Sequence, residues 1–436
     1  MSAVPVSPSA SATTGQSARH ARSRPPSVLQ LLRAGRLDQP LAADFALFGA
    51  KPALAEPLPV GQLYFPDWAR YEAAMRTVFA SGWYTNHGPL ARQLEARLAQ
   101  RMRVRHIVCV TNATLGLVMA CEALGLTGKV ILPAFTFIAT AQALSWAKLE
   151  PVFCDVDPAT HQITAERVAP LIDAETSAIL AVNLWGDACP AAPLQALADR
   201  HGLKLFFDSA HAMGCEIGGV PVGNFGSMEV FSFHATKVFS TVEGGCIATN
   251  DDALAARLRN IRSSYGAGEP VDVVKTSNGR MSEAQAAIGL MNLDDFEATL
   301  ANNRALFSRY REGLRGIAGI SLFEASNASK TNHQYVVCEI DEASFGLSRE
   351  ALLDLLKAEN IIARRYFHPG AHRSVPYVHD LPQFVDALPE TDRLNARLMQ
   401  LPSGALVKPQ HITAICERIA SAGRRAAEIR SRMGAA

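Results

Sequence analysis

The chain has 436 residues, 48% apolar and 19% charged, with a formal net charge of +1. This is the composition of a globular protein with room for two or three domains, and near-neutrality gives no electrostatic reason to expect a nucleic acid or an anionic membrane as partner. The cysteines at 109, 121, 154, 189, 215, 246, 338 and 416 form no Cys-x-x-Cys pair, so buried cytosolic thiols are expected rather than a zinc site or disulfide framework, and no apolar run reaches the ~20 residues that a bilayer span needs.

Residues 1–26 are rich in Ser, Ala, Pro and Arg and carry no acidic residue. They cannot bury enough apolar surface to offset ordering entropy, so a disordered start is expected. Such a start also resembles a transit peptide, but a bacterial-type extension is the plainer reading, and the protein is expected to be cytoplasmic. Val28–Arg33 reads as a short helix, followed by a proline-containing linker that completes an N-terminal extension over 1–56.

From about residue 60 to 265, short apolar runs alternate with helical patterns. Strands are expected at 105–110, 130–132, 150–154, 178–183 and 204–207, with helices at 114–124, 137–147 and 193–201. Short, doubly buried strands separated by helices predict an α/β sandwich with a mostly parallel sheet, here spanning 57–300. A long helix after about Asp294, through Arg315, leads into a smaller α+β domain, 301–436. It would hold strands at 334–340 and 361–366, a helix at 348–359 and a terminal helix at about 412–433 with a solvated Arg-rich face.

Ligands of such sheets bind beyond the carboxyl ends of the strands, and the chemistry-bearing residues fall there. Thr111-Asn-Ala-Thr114 opens a helix after a strand, so the Ala113 and Thr114 amides could hold a phosphate, or the segment could be an ordinary N-cap. Phe137, in Pro133-Ala-Phe-Thr-Phe137, could stack on a planar cofactor or be a core residue. Asp208 ends the run Leu203–Asp208, and His211 follows three residues later as a possible ring-oxygen partner or a structural histidine. Ser232 could meet the phosphate or be a strand hydroxyl. Lys237 closes Phe231-Ser-Phe-His-Ala-Thr-Lys237 at a strand exit. A lysine that can form a Schiff base and an acid that keeps a pyridine nitrogen protonated are the pair that pyridoxal phosphate needs.

These segments, in this order, resemble the DegT/StrS family of sugar aminotransferases, pyridoxal-phosphate enzymes of fold type I. The resemblance runs from about Gly61 to Leu406 and includes Trp83–Pro89, Pro151–Asp157, Asn183–Gly186, Asn278–Glu283 and Arg364–His368. It implies that Lys237 carries the cofactor as a Schiff base and that Asp208 pairs with the pyridine nitrogen. By the same resemblance His211 meets the ring hydroxyl where the family usually has glutamine. Ser232, Ala113 and Thr114 would hold the phosphate, and Phe137 would stack on the ring. Asn278 would reach the phosphate of a neighbouring subunit, which implies a homodimer with shared active sites.

The implied reaction moves an amino group from an amino acid, L-glutamate in the first instance, to a nucleotide-linked keto-deoxysugar, with Arg280, Tyr366 and His368 as candidate sugar or diphosphate contacts, although Arg280 could equally pair with an acidic neighbour. Amination of a keto-cyclitol, a lyase, and a cofactor-binding regulator without turnover are the alternatives. Relatives with histidine in place of the lysine dehydrate instead, so Lys237 implies transamination. Two positions depart from the family: Asn183, where many relatives have histidine, and Val242, where glycine is common.

Overall fold

The computed structural model describes residues 44–264, 271, 273 and 275–434. The helix expected at Val28–Arg33 and the disordered start expected over 1–26 lie outside the described residues.

A seven-stranded sheet forms the larger unit. Its strands are β1 (His106–Val110), β2 (Lys129–Pro133), β3 (Glu150–Cys154), β4 (Thr176–Val182), β5 (Lys204–Asp208), β6 (Glu229–Ser232) and β7 (Gly245–Thr249), in the spatial order β1-β7-β6-β5-β4-β2-β3. Strands β2 to β6 pair parallel, and β7 runs antiparallel to both β1 and β6. Alternate residues face opposite sides. Val130 and Leu132 join one apolar cluster and Ile131 joins another, and every one of them is buried. Burial on both faces is why the strands read as continuous apolar runs rather than alternating ones. Because β1 is parallel to the others, Val110, Pro133, Val182, Asp208 and Ser232 all end at one edge of the sheet.

The helices that cover the sheet include α1 (Ala113–Leu124), α2 (Ile138–Trp146) and α3 (Ala191–His201). The first starts one residue earlier than its apolar pattern suggests, because Asn112 caps it: its Oδ1 accepts from Leu115 N at 2.9 Å.

One 32-residue helix, α4 (Glu283–Leu314), joins the two units. It begins well before Asp294 because Ser282 and Gln285 form a capping box. Phe296 and Leu300 pack into the large unit, whereas Leu306, Phe307, Tyr310 and Leu314 belong to the core of the small one. The boundary expected at 300/301 therefore falls within a continuous helix.

The small unit has an antiparallel sheet of β8 (Ile320–Leu322), β9 (Val336–Ile340) and β10 (Leu398–Leu401), covered by α5 (Arg349–Ala358) and α6 (Pro409–Arg424). Two expectations change here. The strand expected at 361–366 is only Ile361–Ile362, because the chain then pairs Arg364 with Gln400 and turns Tyr366 and Phe367 toward the sheet edge. The single terminal helix is two, α6 and α7 (Ala426–Met433). Arg425 between them leaves the helical backbone, with its guanidinium on Glu428 and Asp44.

The described part of the expected linker is not a tether. Phe45, Leu47, Phe48, Leu54 and Leu58 are buried in the core of the small unit, and Leu58–Pro59 pairs parallel with Ile361–Ile362. Linker-like prolines hid a segment whose apolar side chains complete another domain's core. Glu359, 1% exposed, holds this strap: its Oε1 accepts from Ala46 N at 2.7 Å and its Oε2 from Ala53 N at 2.8 Å, with Arg418 Nε 3.4 Å away. Glu359→Ala should lower stability by about 3 kcal/mol, since two bonds to a charged acceptor are lost and Arg418 loses its counter-ion. Urea unfolding, together with faster proteolysis near Ala53, is the check; an unmoved midpoint would mean that the strap is held by its apolar contacts alone.

Candidate active site

A cavity of about 750 Å³ opens at the edge where the parallel strands end. Of the residues singled out by sequence, Ala113, Thr114, Phe137, Asp208, His211, Ser232 and Lys237 all line it. Segments as far apart as 113 and 237 meet here because each follows directly on a parallel strand or its return.

The loop after β1 brings the start of α1 to the cavity. With the Asn112 side chain on Leu115 N, the Ala113 and Thr114 amides take no partner among the described residues and face the wall of the cavity. Gly245 lets β7 approach β6 and the start of α1 this closely: a Cβ there would come within 2.6 Å of Phe231 O and 3.0 Å of Ala113 N. The loop after β2 separates its two phenylalanines. Phe135 is fully buried against Trp185, His161 and Phe367, whereas Phe137 is 57% exposed at the cavity, just before α2.

Asp208, at the end of β5, is buried. Its Oδ2 accepts from Thr140 Oγ1 at 2.8 Å and its Oδ1 from Ala210 N at 3.1 Å. Burial pushes its carboxyl up, against those two hydrogen bonds and the charge of Lys237. Burial likewise pushes the Lys237 amine down, and Tyr366 and Asp208 oppose the shift. Nζ of Lys237 donates to Tyr335 Oη at 3.4 Å. His211 is held well below the usual histidine range, first by burial and then by Lys237, so its imidazole is neutral. Its ring stacks on Trp185 with centroids 5.6 Å apart, and its Nδ1 is buried with no partner among the described residues. An uncommitted ring nitrogen buried beside a cavity calls for a polar ligand group.

Not every candidate arrives. Asn278 is exposed, pairs with Ser263 and lies off the wall of its own chain's cavity. Arg280 lines neither this cavity nor the adjoining one of about 990 Å³; its backbone pairs with Val110 and its Nη1 donates to Ser263 Oγ at 3.4 Å. Tyr366 lines both cavities and His368 the adjoining one.

Sequence reasoning missed Thr140, Tyr335 and Glu229. Glu229 is fully buried in β6, accepts from Ser209 Oγ at 2.5 Å, Gly223 N at 2.6 Å and Phe225 N at 3.0 Å, and is pushed up to about 7 by burial. An acid inside an apolar strand run, Ser227-Met-Glu-Val-Phe231, is a signal that could have found it. The same network explains Asn183. Its amide donates to Ser209 Oγ at 2.9 Å and to Glu229 Oε2 at 3.4 Å, and its Oδ1 accepts from Cys189 N at 2.7 Å. That side chain is tied into the interior beneath Asp208. Val242 takes φ +70°, the left-handed conformation that favours glycine and costs a β-branched residue ~1–2 kcal/mol. All eight cysteines are buried and unpaired. Among the described residues there is no His/Cys/Asp/Glu group that could hold a metal and no helix long and apolar enough to cross a membrane.

Known proteins share this architecture. Residues 68–420 match the DegT/DnrJ/EryC1/StrS aminotransferase family. The chain is 34% identical over 358 residues to dTDP-4-amino-4,6-dideoxy-D-glucose transaminase of Shigella dysenteriae, covering 82% of this chain and 95% of that one. It is 31% identical over 345 residues to GDP-perosamine synthase of Vibrio cholerae, covering 78% and 92%. The crystal structure of DesI in the presence of its TDP-sugar product superposes with a TM-score of 0.84 at 41% identity, over 90% of this chain and 99% of that one. With the matched segment running through both units and the sheet edge between them, the chain belongs to the DegT/DnrJ/EryC1/StrS aminotransferase family.

Proposed function

We propose that the chain is a pyridoxal-phosphate-dependent aminotransferase that moves an amino group from an amino acid, L-glutamate in our reading, to the keto group of a nucleotide-linked keto-deoxysugar. The observation that carries this reading is the convergence of Lys237, Asp208 and His211 on one cavity that also holds Ser232 and the free amides at the start of α1. The orphaned Nδ1 of His211, which lines the cavity, fits a polar group on a ring bound there. The relatives, one a dTDP-amino-sugar transaminase and one a GDP-perosamine synthase, support the nucleotide-sugar class.

Bound there, pyridoxal phosphate supplies an electron sink for carbanion chemistry at the amino carbon. The chain supplies the rest. Ser232 and the Ala113 and Thr114 amides would hold the phosphate, with the dipole of α1 behind them. Asp208, carrying one hydrogen bond from Thr140 and one from Ala210, offers a carboxylate for a protonated pyridine nitrogen. Neutral His211 would donate to or accept from the ring oxygen without adding charge, and Phe137 would cover a ring face. Burial pushes the Lys237 amine toward its neutral form, the form that would take a proton from a carbon and return it, a role typically worth ~10²–10⁴ in rate.

A second copy of the chain completes the site in this reading. Asn278 is exposed and lies off the wall of its own cavity, and Phe65, Trp68, Phe79, Trp83 and Tyr84 are exposed large apolar side chains that a partner subunit would cover.

Lys237→Ala should lose turnover by at least ~10³-fold while unfolding at the same temperature, and glutamate should no longer change the cofactor absorption; full activity in that variant would sink the assignment. Mixing Lys237→Ala with Asn278→Ala, each inactive alone, should restore up to about a quarter of wild-type activity, because a mixed dimer holds one intact site. No recovery on subunit exchange would place Asn278 outside the partner's site. His211 stays neutral far below neutrality, so His211→Gln should leave the acid limb of kcat/KM unmoved between about pH 6 and 8. Loss of that limb would show that the imidazole titrates there.

A further inference from the structure

We propose that Tyr335 is a further catalytic residue: its phenolic oxygen receives the side-chain amine of Lys237 whenever that amine is free and holds it turned toward Asp208 and His211. The inference rests on the reading of Lys237 as the reactive amine. Nζ of Lys237 lies 3.4 Å from Tyr335 Oη and 5.8 Å from the ring centroid, so the amine meets the hydroxyl end of the ring rather than its face.

Tyr335 has no freedom to leave. It is 4% exposed, and its ring stands edge-on to His211, with centroids 4.7 Å apart, and to Trp185, at 5.7 Å. The residues just before it pin both halves of the site. Gln334 Oε1 accepts from Val238 N at 2.7 Å, beside the lysine. Asn332 Nδ2 donates to His211 O at 2.9 Å and to Met213 O at 3.0 Å, beside the aspartate. One segment from the small unit thus fixes the backbone on either side of the cavity and presents a hydroxyl to the amine between them.

A buried phenol seeks a polar partner, and packing against Trp185 and His211 alone would be served as well by phenylalanine. A lysine has several rotatable bonds. Each time its amine is released it can adopt rotamers that miss the reacting carbon, and an acceptor at the productive position removes that loss. Tyr335 is more than ninety positions away in sequence from Lys237, immediately before β9 of the other unit, so the position of the small unit also sets where the amine rests.

Tyr335→Phe in the full-length protein is the test, because it removes the oxygen and keeps the ring. The expected result is a fall in kcat of about tenfold or more, with KM for the keto sugar within about twofold and the cofactor retained, the pattern of a group that acts on the reacting amine rather than on binding. In the cofactor-free chain, the pH midpoint for acylation of Lys237 by acetic anhydride, followed by peptide mass spectrometry, should move lower, because the oxygen that accepts from the ammonium is gone. An unchanged kcat overturns the proposal, and so does an unmoved midpoint. If Lys237→Ala is inactive while Tyr335→Phe behaves as wild type, only this inference falls; an active Lys237→Ala would remove the reading beneath it.

Discussion

The structure is organised around an amine and a carboxyl group held out of water at one edge of a sheet. Removing an ammonium and a carboxylate from water costs several kcal/mol each, and among the described residues none gives either a close ion pair. Burial instead pushes the Lys237 amine down and the Asp208 carboxyl up, both toward their neutral forms. A ligand that brings a cation beside Asp208 supplies the countercharge that burial withholds, so the site is arranged for a charged ring nitrogen rather than for its own internal pair. The polar groups around the pair serve that arrangement: Thr140 and Ala210 orient the carboxylate, and neutral His211 adds no charge of its own.

Geometry of this precision needs rigid supports, and the chain draws them from both units. Helix α4 enters the core of each, and the segment Asn332–Tyr335 touches the lysine turn and the aspartate turn together. The small unit is stiffened in turn by the strap at 45–58, whose apolar side chains and whose partner Glu359 close the far side of its core. Gln62 Nε2 donates to Gln334 O at 2.8 Å and Gln62 N to Thr236 O at 3.2 Å, so the chain continuing from the strap also meets the lysine loop. The chain just beyond the strap is therefore hydrogen-bonded to the residue before Lys237.

What was legible in sequence follows a physical division. The strands and helices of the large unit could be read because each is local: an apolar run buried on both faces, a capping residue, a strand exit. Lys237, Asp208, His211, Ser232, Ala113, Thr114 and Phe137 could be gathered for the same reason, since each lies just beyond a strand of one sheet. Tyr335, Asn332, Gln334 and Glu359 could not, because their roles depend on contacts between distant parts of the chain that no periodicity records. The same limit concealed the strap and the early start of α4. Arg280, a basic residue in a telling motif, pairs its backbone with Val110 and lines neither cavity of its own chain, a placement that its motif does not reveal.

The two departures from the family pattern can now be weighed by where they point. Asn183 lines the cavity, and its side chain is held there by a buried chain of hydrogen bonds with Ser209, Glu229 and Cys189. An amide there, with a carboxyl group pushed up to about 7, gives Ser209 a donor on one side and an acceptor on the other. Ser209 is the residue after Asp208, so this network fixes the end of β5 and, through it, the direction of the carboxylate. Val242 also bears on the cavity, since it sits in a strained turn beside Glu243, which lines the wall. The turn at Glu243, the wall at Asn183 and the surface shared by Tyr366 and Arg364, where the two cavities meet, are therefore the places where discrimination between sugars would be built.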